Sequence, residues 1–446
     1  MTTGNILHDL LRFSIPLVLG NFAQQLYSTI DSIIVGQAVP GGLAAIGATF
    51  PIINFSILLF MAIGTGASVM VAQFFGARDQ DRLTRTVANT LTLILVSTLL
   101  LCSFLIPLSG PLLRLISTPE EIHPMATAYL QITFLGFLGA AYFNIGSGIL
   151  RGVGDSVSPL FYLLISTILN TILDIVFVWN WHWGVAGAAW ATIISQALAA
   201  CLSLIKVFRT SQIPRLRKHD FKPDYKLIRE LVRLGIPSGI TQGIFSMAMI
   251  MVQNLVNLMG PMVMEANIIV IRLDGFAMLP NHTFGMAATS FIGQNIGARK
   301  IDRVEIGAKK VSQLALLVSA ILAFLLVIFG RLAFTMFTQD QAVIDLAYKM
   351  MLILIIGYIA FSQTAALGGV MRGAGDTITP MWIAFCANVF LRIPLSYFLA
   401  WLTRSPAWPH GSPYTINLSL LIGWLTASLL TILYYRKGSW KNKAII

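Results

Sequence analysis

The chain has 446 residues, of which 56% are hydrophobic and only 11% charged, with a formal net charge of +12. A water-soluble domain of this length carries far more charge. The apolar runs are continuous, without polar alternation, which excludes a transmembrane barrel. The expected class is an all-α membrane protein.

Twelve runs are long enough, at roughly 20 residues each, to cross a bilayer. Their expected limits are 12–38, 48–75, 86–109, 125–149, 159–180, 184–205, 231–258, 266–294, 311–330, 346–370, 380–402 and 415–435. The first run exceeds a signal-peptide core, so it is expected to be retained. The linkers are too short for a separate soluble domain.

Basic residues cluster at alternate ends of these spans. Arg78, Arg82 and Arg85 follow the second, Lys206 and Arg209 the sixth, Arg299 and Lys300 the eighth, and Arg436 and Lys437 the twelfth. The opposite loops hold only Arg114, Arg331 and Arg404. This bias places both termini in the cytoplasm and accounts for the positive charge without a nucleic-acid partner. Cys102, Cys201 and Cys386 all lie in apolar runs, with neither metal-ligand nor disulfide spacing.

The sequence repeats itself. "ILRGVGDSVSPL" at 149–160 returns as "VMRGAGDTITPM" at 370–381, and "AQFFGARDQDR" at 72–82 as "GQNIGARKIDR" at 293–303. "LLRFSIP" ends at Pro16 and "LVRLGIP" at Pro237; all three pairs share one offset, 237 − 16 = 221 residues. Each copy holds six spans. An even number makes the second copy enter from the same side as the first, so the lobes are parallel, with a pseudo-two-fold axis along the membrane normal. The expected organisation is an N-terminal lobe at 1–210, a cytoplasmic linker at 211–228 and a C-terminal lobe at 229–446. Two such lobes imply a secondary transporter with alternating access. No phosphate-binding loop, nucleophile elbow or HExxH motif appears, so no enzymatic reaction and no cofactor is expected. In the repeated turns Gly suits positive φ and Asp a helix start, while Arg151 and Arg372 are expected to anchor to those acids or to headgroups.

Two acids stand alone in apolar sequence. Asp174 is the sole charged residue from Ser156 to Ile205, and Asp31 the sole one between Arg12 and Arg78. Ionisable groups inside a span are costly and usually functional. Asn170 and Tyr27 each precede an acid by four residues, on the same helix face. Asp174 lies 15 residues past Pro159, and Asp31 15 past Pro16, in both cases roughly 22 Å along a helix. Thr192, entering from the other side, lies about 12 Å deep. Asp31, Asn170, Asp174 and Thr192 are therefore expected at one level. Such oxygen ligands suit a hard cation such as Na+, and the two carboxylates could instead share protons. At the 221-residue offset Asp31 becomes Val252, Asn170 Leu391 and Asp174 Leu395, so the scaffold is duplicated and the acids are not.

The second half has charges of its own. Asp274 and Arg392 fall at comparable depths and are expected to form a buried charge pair, with Arg272 nearby. A polyspecific cavity wall would use adaptable side chains: Tyr27, Met61, Met247, Met251, Met278, Phe284 and Met286 are the candidates.

"FSIPLVLGNFAQQLYSTIDSIIVG", "RLDGFAMLPNHTFGMAATSFIGQNIGA" and the doubled RGxGD turns together resemble the bacterial multidrug and toxic compound extrusion (MATE) transporters along nearly the whole chain. The resemblance implies twelve helices in two six-helix lobes, in the bacterial cytoplasmic membrane, exporting small amphipathic organic cations in exchange for H+ or Na+. It places a cation site on Asp31, Asn170, Asp174 and Thr192 and a helix-bending role on Pro16. It leaves a second-lobe cation site in doubt, since span 7 has no acid before Glu265 and span 10 carries only Lys349. A monomer is expected. The rival within the same superfamily is a lipid-linked oligosaccharide flippase, which would line its cavity with several Arg or Lys.

Overall fold

The computed structural model describes residues 1–116 and 118–445, except for the side chains of Leu26, Ser28, Ser32 and Asn442. Among the described residues twelve helical segments of membrane-crossing length follow one another. The first six are α1 (Ile6–Ala38), α2 (Gly42–Ala77), α3 (Gln80–Leu115), a broken α4 (His123–Leu135 and Phe137–Gly152), α5 (Val157–Asn180) and α6 (Gly184–Arg209). The second six are α7 (Tyr225–Leu258), α8 (Pro261–Gly297), α9 (Ile301–Phe334), α10 (Gln341–Gly373), α11 (Ile378–Leu402) and α12 (Tyr414–Lys437). No strand occurs among the described residues.

Ten of these are long and apolar enough as single helices, and the two pieces of α4, bent by 47°, make an eleventh. The twelfth, α8, is 37 residues long but carries Glu265, Arg272 and Asp274 in its first half. Several helices outrun their expected apolar limits; α7 begins at Tyr225 rather than 231. A helix satisfies its own backbone, so it continues past the hydrocarbon wherever nothing stops it. Large apolar side chains such as Phe55, Phe104, Phe324 and Phe390 are exposed, as expected of surfaces solvated by lipid.

The helices form two compact units. One contains Leu11–Gly239 and Gly297–Arg299; the other contains Met1–Leu10, Ile240–Ile296 and Lys300–Ile445. The division falls inside α7, not in the expected linker at 211–228. Packing explains this. The start of α7 lies so close to α2 that a Cβ on Gly66 would sit 2.4 Å from the Leu231 carbonyl oxygen, and one on Gly235 would sit 2.4 Å from that of Ala62. The chain's first residues join the second unit because the Met1 ammonium donates to Gln294 Oε1 (3.1 Å) and Arg303 donates to the Gly4 carbonyl (2.9 Å).

The 221-residue repeat extends to the backbone. Arg78 and Arg299 both end a helix in the left-handed region, at φ 58° and 56°. The following amides reach back five residues, Asp79 N to Phe74 O and Lys300 N to Asn295 O, a Schellman-type closure. Gly154 and Gly375 stand at φ 97° and 94°. After them Asp155 caps α5 through the Ser158 amide (2.9 Å) and Asp376 caps α11 through that of Thr379 (3.2 Å). Of the two anchors expected for Arg151 and Arg372, the caps are not taken: neither arginine comes within 4.0 Å of its acid. Lys206 approaches Asp155 (3.9 Å), and the Tyr434 hydroxyl donates to Asp376 (2.7 Å).

Candidate functional site

In the first unit α1, α4, α5 and α6 place polar groups in a small buried cluster. α1 carries Tyr27 and Asp31 one turn apart, and it runs as continuous helix through Pro16. α5 carries Asn170 and Asp174, 1% and 0% exposed. Asp174 ends the regular α-helical part of α5, and Ile175–Asn180 continue as a π-helical turn. Such turns interrupt the hydrogen-bond ladder and recur at functional sites. Phe177, Trp181 and Trp183 stack beyond it with ring centroids 4.9 to 5.2 Å apart, the aromatic belt expected at a membrane surface.

The acids face one another, with the Asp31 carboxyl within hydrogen-bonding reach of that of Asp174. Asn170 holds Asp174 in place. Its amide nitrogen donates to Asp174 Oδ2 (2.9 Å) and its oxygen accepts from the Thr192 backbone N–H (3.3 Å), the orientation its neighbours dictate. One side chain thus joins α5 to α6. The Tyr27 hydroxyl is turned toward Thr192. Three buried oxygens, Tyr27 Oη, Asp31 Oδ1 and Asp174 Oδ1, retain no hydrogen-bond partner. Orphaned buried carboxylate oxygens are expensive, and here they belong to one group of side chains.

The close approach of α6 has a specific cause. A Cβ on Gly136, at the break in α4, would lie 2.0 Å from Ile193 Cγ2, the residue after Thr192. Tyr129, two turns earlier in α4, is 8% exposed and packs with Ile34, Val35, Val178 and Val185 around the cluster. Its hydroxyl lies within electrostatic range of Asp31, Tyr27 and Asp174. Nothing in the sequence marks it, because an aromatic in an apolar span carries no distinguishing signal.

The second unit contains a cavity of about 250 Å3 bordered by Asp274, Arg392 and Met278. Asp274 and Arg392 do not form the expected ion pair: no carboxylate among the described residues comes within 4.0 Å of Arg392, and Asp274 accepts a hydrogen bond from the Tyr358 hydroxyl. Tyr358, 84 residues away in sequence, supplies the hydrogen bond to the acid instead. Arg272 is exposed and stands apart. Phe284 belongs to a packed core with Phe291 and Val370, not to a cavity wall. Met247 and Met251 are 44% and 41% exposed, whereas Phe245, Met249 and Val252 face the cavity. The reason is helical phase: at 100° per residue Met247 lies about 200° from Phe245. Met61 is 46% exposed, and Met286 is half-buried outside this cavity.

The MatE family profile matches this chain twice, over residues 16–176 and 237–398, and the two starts are again 237 − 16 = 221 apart. The chain belongs to the MatE family of membrane transporters, and is a multi-pass membrane protein. It is 31% identical to the probable multidrug resistance protein YpnP of Bacillus subtilis, over 99% of this chain and 97% of that protein. It is 24% identical to the probable multidrug resistance protein NorM of Thermotoga maritima, over 98% and 94%. Among solved structures, a MATE crystal structure in the straight conformation superposes with TM-score 0.91 at 23% identity, covering 98% of this chain and 96% of that one.

Proposed function

We propose that this protein is a secondary multidrug exporter that expels small organic cations in exchange for H+ or Na+, with Asp31 and Asp174 as the coupling acids. The observation that carries the reading is the convergence of these two carboxylates, each with an unpartnered Oδ1, inside one lobe. One shared proton would satisfy both oxygens; a monovalent cation would take them as hard ligands, with the Tyr27 hydroxyl adjacent. Either ion neutralises the cluster and removes its attraction for a cationic substrate. Only an ion that binds the outward-open and inward-open states unequally can drive the exchange. Rocking of the two lobes is the motion this requires. The relatives' names, multidrug resistance protein, support the same substrate class. The basic-residue bias favours cytoplasmic termini in a bacterial inner membrane.

The test is ethidium efflux from cells expressing wild type, Asp31→Asn or Asp174→Asn. Both variants are expected to fall to the rate of cells lacking the protein, and normal efflux by both would remove the coupling site. Vesicles with an imposed Na+ or pH gradient then identify the ion.

A further inference from the structure

The cavity of the second unit poses a chemical question that cation export leaves unanswered. It holds one guanidinium and one carboxylate, and the carboxylate is already engaged by Tyr358. Arg392 is 8% exposed, its Nε has no hydrogen-bond partner, and no carboxylate among the described residues approaches within 4.0 Å. Arginine does not lose its charge at any ordinary pH, and a buried charge without a partner is strongly unfavourable. Arg392 borders the cavity, and a guanidinium's paired N–H groups form the fork that a carboxylate fits.

A second orphan borders the same space. Asn417 is 2% exposed and its Oδ1 accepts nothing. It calls for an O–H or N–H donor on whatever fills the cavity. The walls add shape. Phe361 and Trp424 stand with ring centroids 5.6 Å apart at 48°, and Met278 borders the same space. Aromatic faces and a thioether accommodate a flat ring. The volume, about 250 Å3, lies below the ~300–1,000 Å3 of drug-sized sites. A single substituted ring is the appropriate size.

We infer that the C-terminal lobe binds a compact aromatic carboxylate, its carboxylate held by Arg392, its ring against Phe361 and Trp424, and a ring donor on Asn417. The site lies wholly within the second unit and uses none of the acids of the first. It requires no ion gradient and does not depend on the export reading.

Equilibrium dialysis of the purified full-length protein against labelled 4-hydroxybenzoate, with 4-hydroxybenzamide as the uncharged analogue, is the test. The acid is expected to bind saturably, at least tenfold tighter than the amide. Arg392→Leu should lose at least tenfold for the acid, and Arg392→Lys, which keeps the charge without the fork, should lose less. Asn417→Ala should weaken the acid while leaving benzoate, which lacks the donor, unchanged. Equal binding of acid and amide by wild type, or no saturable binding up to about 1 mM, overturns the inference. The acid-against-amide comparison decides even if the Arg392 variants fail to fold.

Discussion

The two lobes are one scaffold carrying opposite chemistry. Both close a helix on a left-handed arginine and start the next helices from an RGxGD turn, and both cross two helices at paired glycines. Yet the buried cluster of the first is acidic, and the unpartnered charge of the second is a guanidinium. Asp174 and Asn170 have leucines at the repeat-related positions 395 and 391, while Arg392 corresponds to Thr171. Duplication preserves what holds helices together, because close backbone approach tolerates little variation. Polar pockets are set by a few side chains, and those can diverge while the scaffold persists.

The strongest break in the comparison is at the acids. Asp31→Asn and Asp174→Asn should each abolish gradient-driven ethidium efflux, and the double variant should be no worse than either single one, because both serve one site. A stepwise decline, measured as initial efflux rates, would mean two independent sites. Asn170→Ala should act next, because it leaves Asp174 Oδ2 and the Thr192 N–H without their bridge. An unsatisfied buried group costs about 1–3 kcal/mol, so coupling-ion affinity in vesicle assays should fall roughly tenfold. Efflux with unchanged ion dependence would reduce Asn170 to packing.

Smaller effects compare the scaffolds directly. A Cβ on Gly369 would meet the Gly285 carbonyl oxygen at 2.1 Å, whereas one on the repeat-related Gly148 would meet that of Gly64 at 3.2 Å. Gly369→Ala should therefore destabilise by about 1–3 kcal/mol and Gly148→Ala by less than about 1. Thermal unfolding in detergent reads both, and equal losses would contradict the closer crossing in the second lobe. Finally, Tyr358→Phe removes the hydroxyl that engages Asp274. It should cost about 1 kcal/mol of stability and weaken aromatic-carboxylate binding by freeing Asp274 to compete for Arg392. Tighter binding would show that Tyr358 and Arg392 are not rivals for the acid.

Much of this was legible without coordinates. The apolar runs give the spans because a bilayer fixes helix length, and the offset of 221 residues gives two parallel lobes because six is even. Asp31, Asn170, Asp174 and Thr192 could be placed at one depth by counting residues, since the rise of a helix is constant. The errors lie where partners had to be chosen. Asp274 and Arg392 share a cavity, but a tyrosine from α10 takes the acid. Phe284 is a plausible wall residue by composition, and packing sends it into a core; Met247 and Met251 lie off the second unit's cavity by helix phase.

By itself the sequence determined the helices, their duplication and which spans carry charge, because length, periodicity and burial cost act along one helix at a time. The tertiary structure decided which oxygens remain unpaired, that Tyr129 packs around the acidic cluster and that no carboxylate among the described residues comes within 4.0 Å of Arg392. Those outcomes depend on side chains dozens of residues apart arriving within about 3 Å of each other, a distance that no property of a single helix specifies.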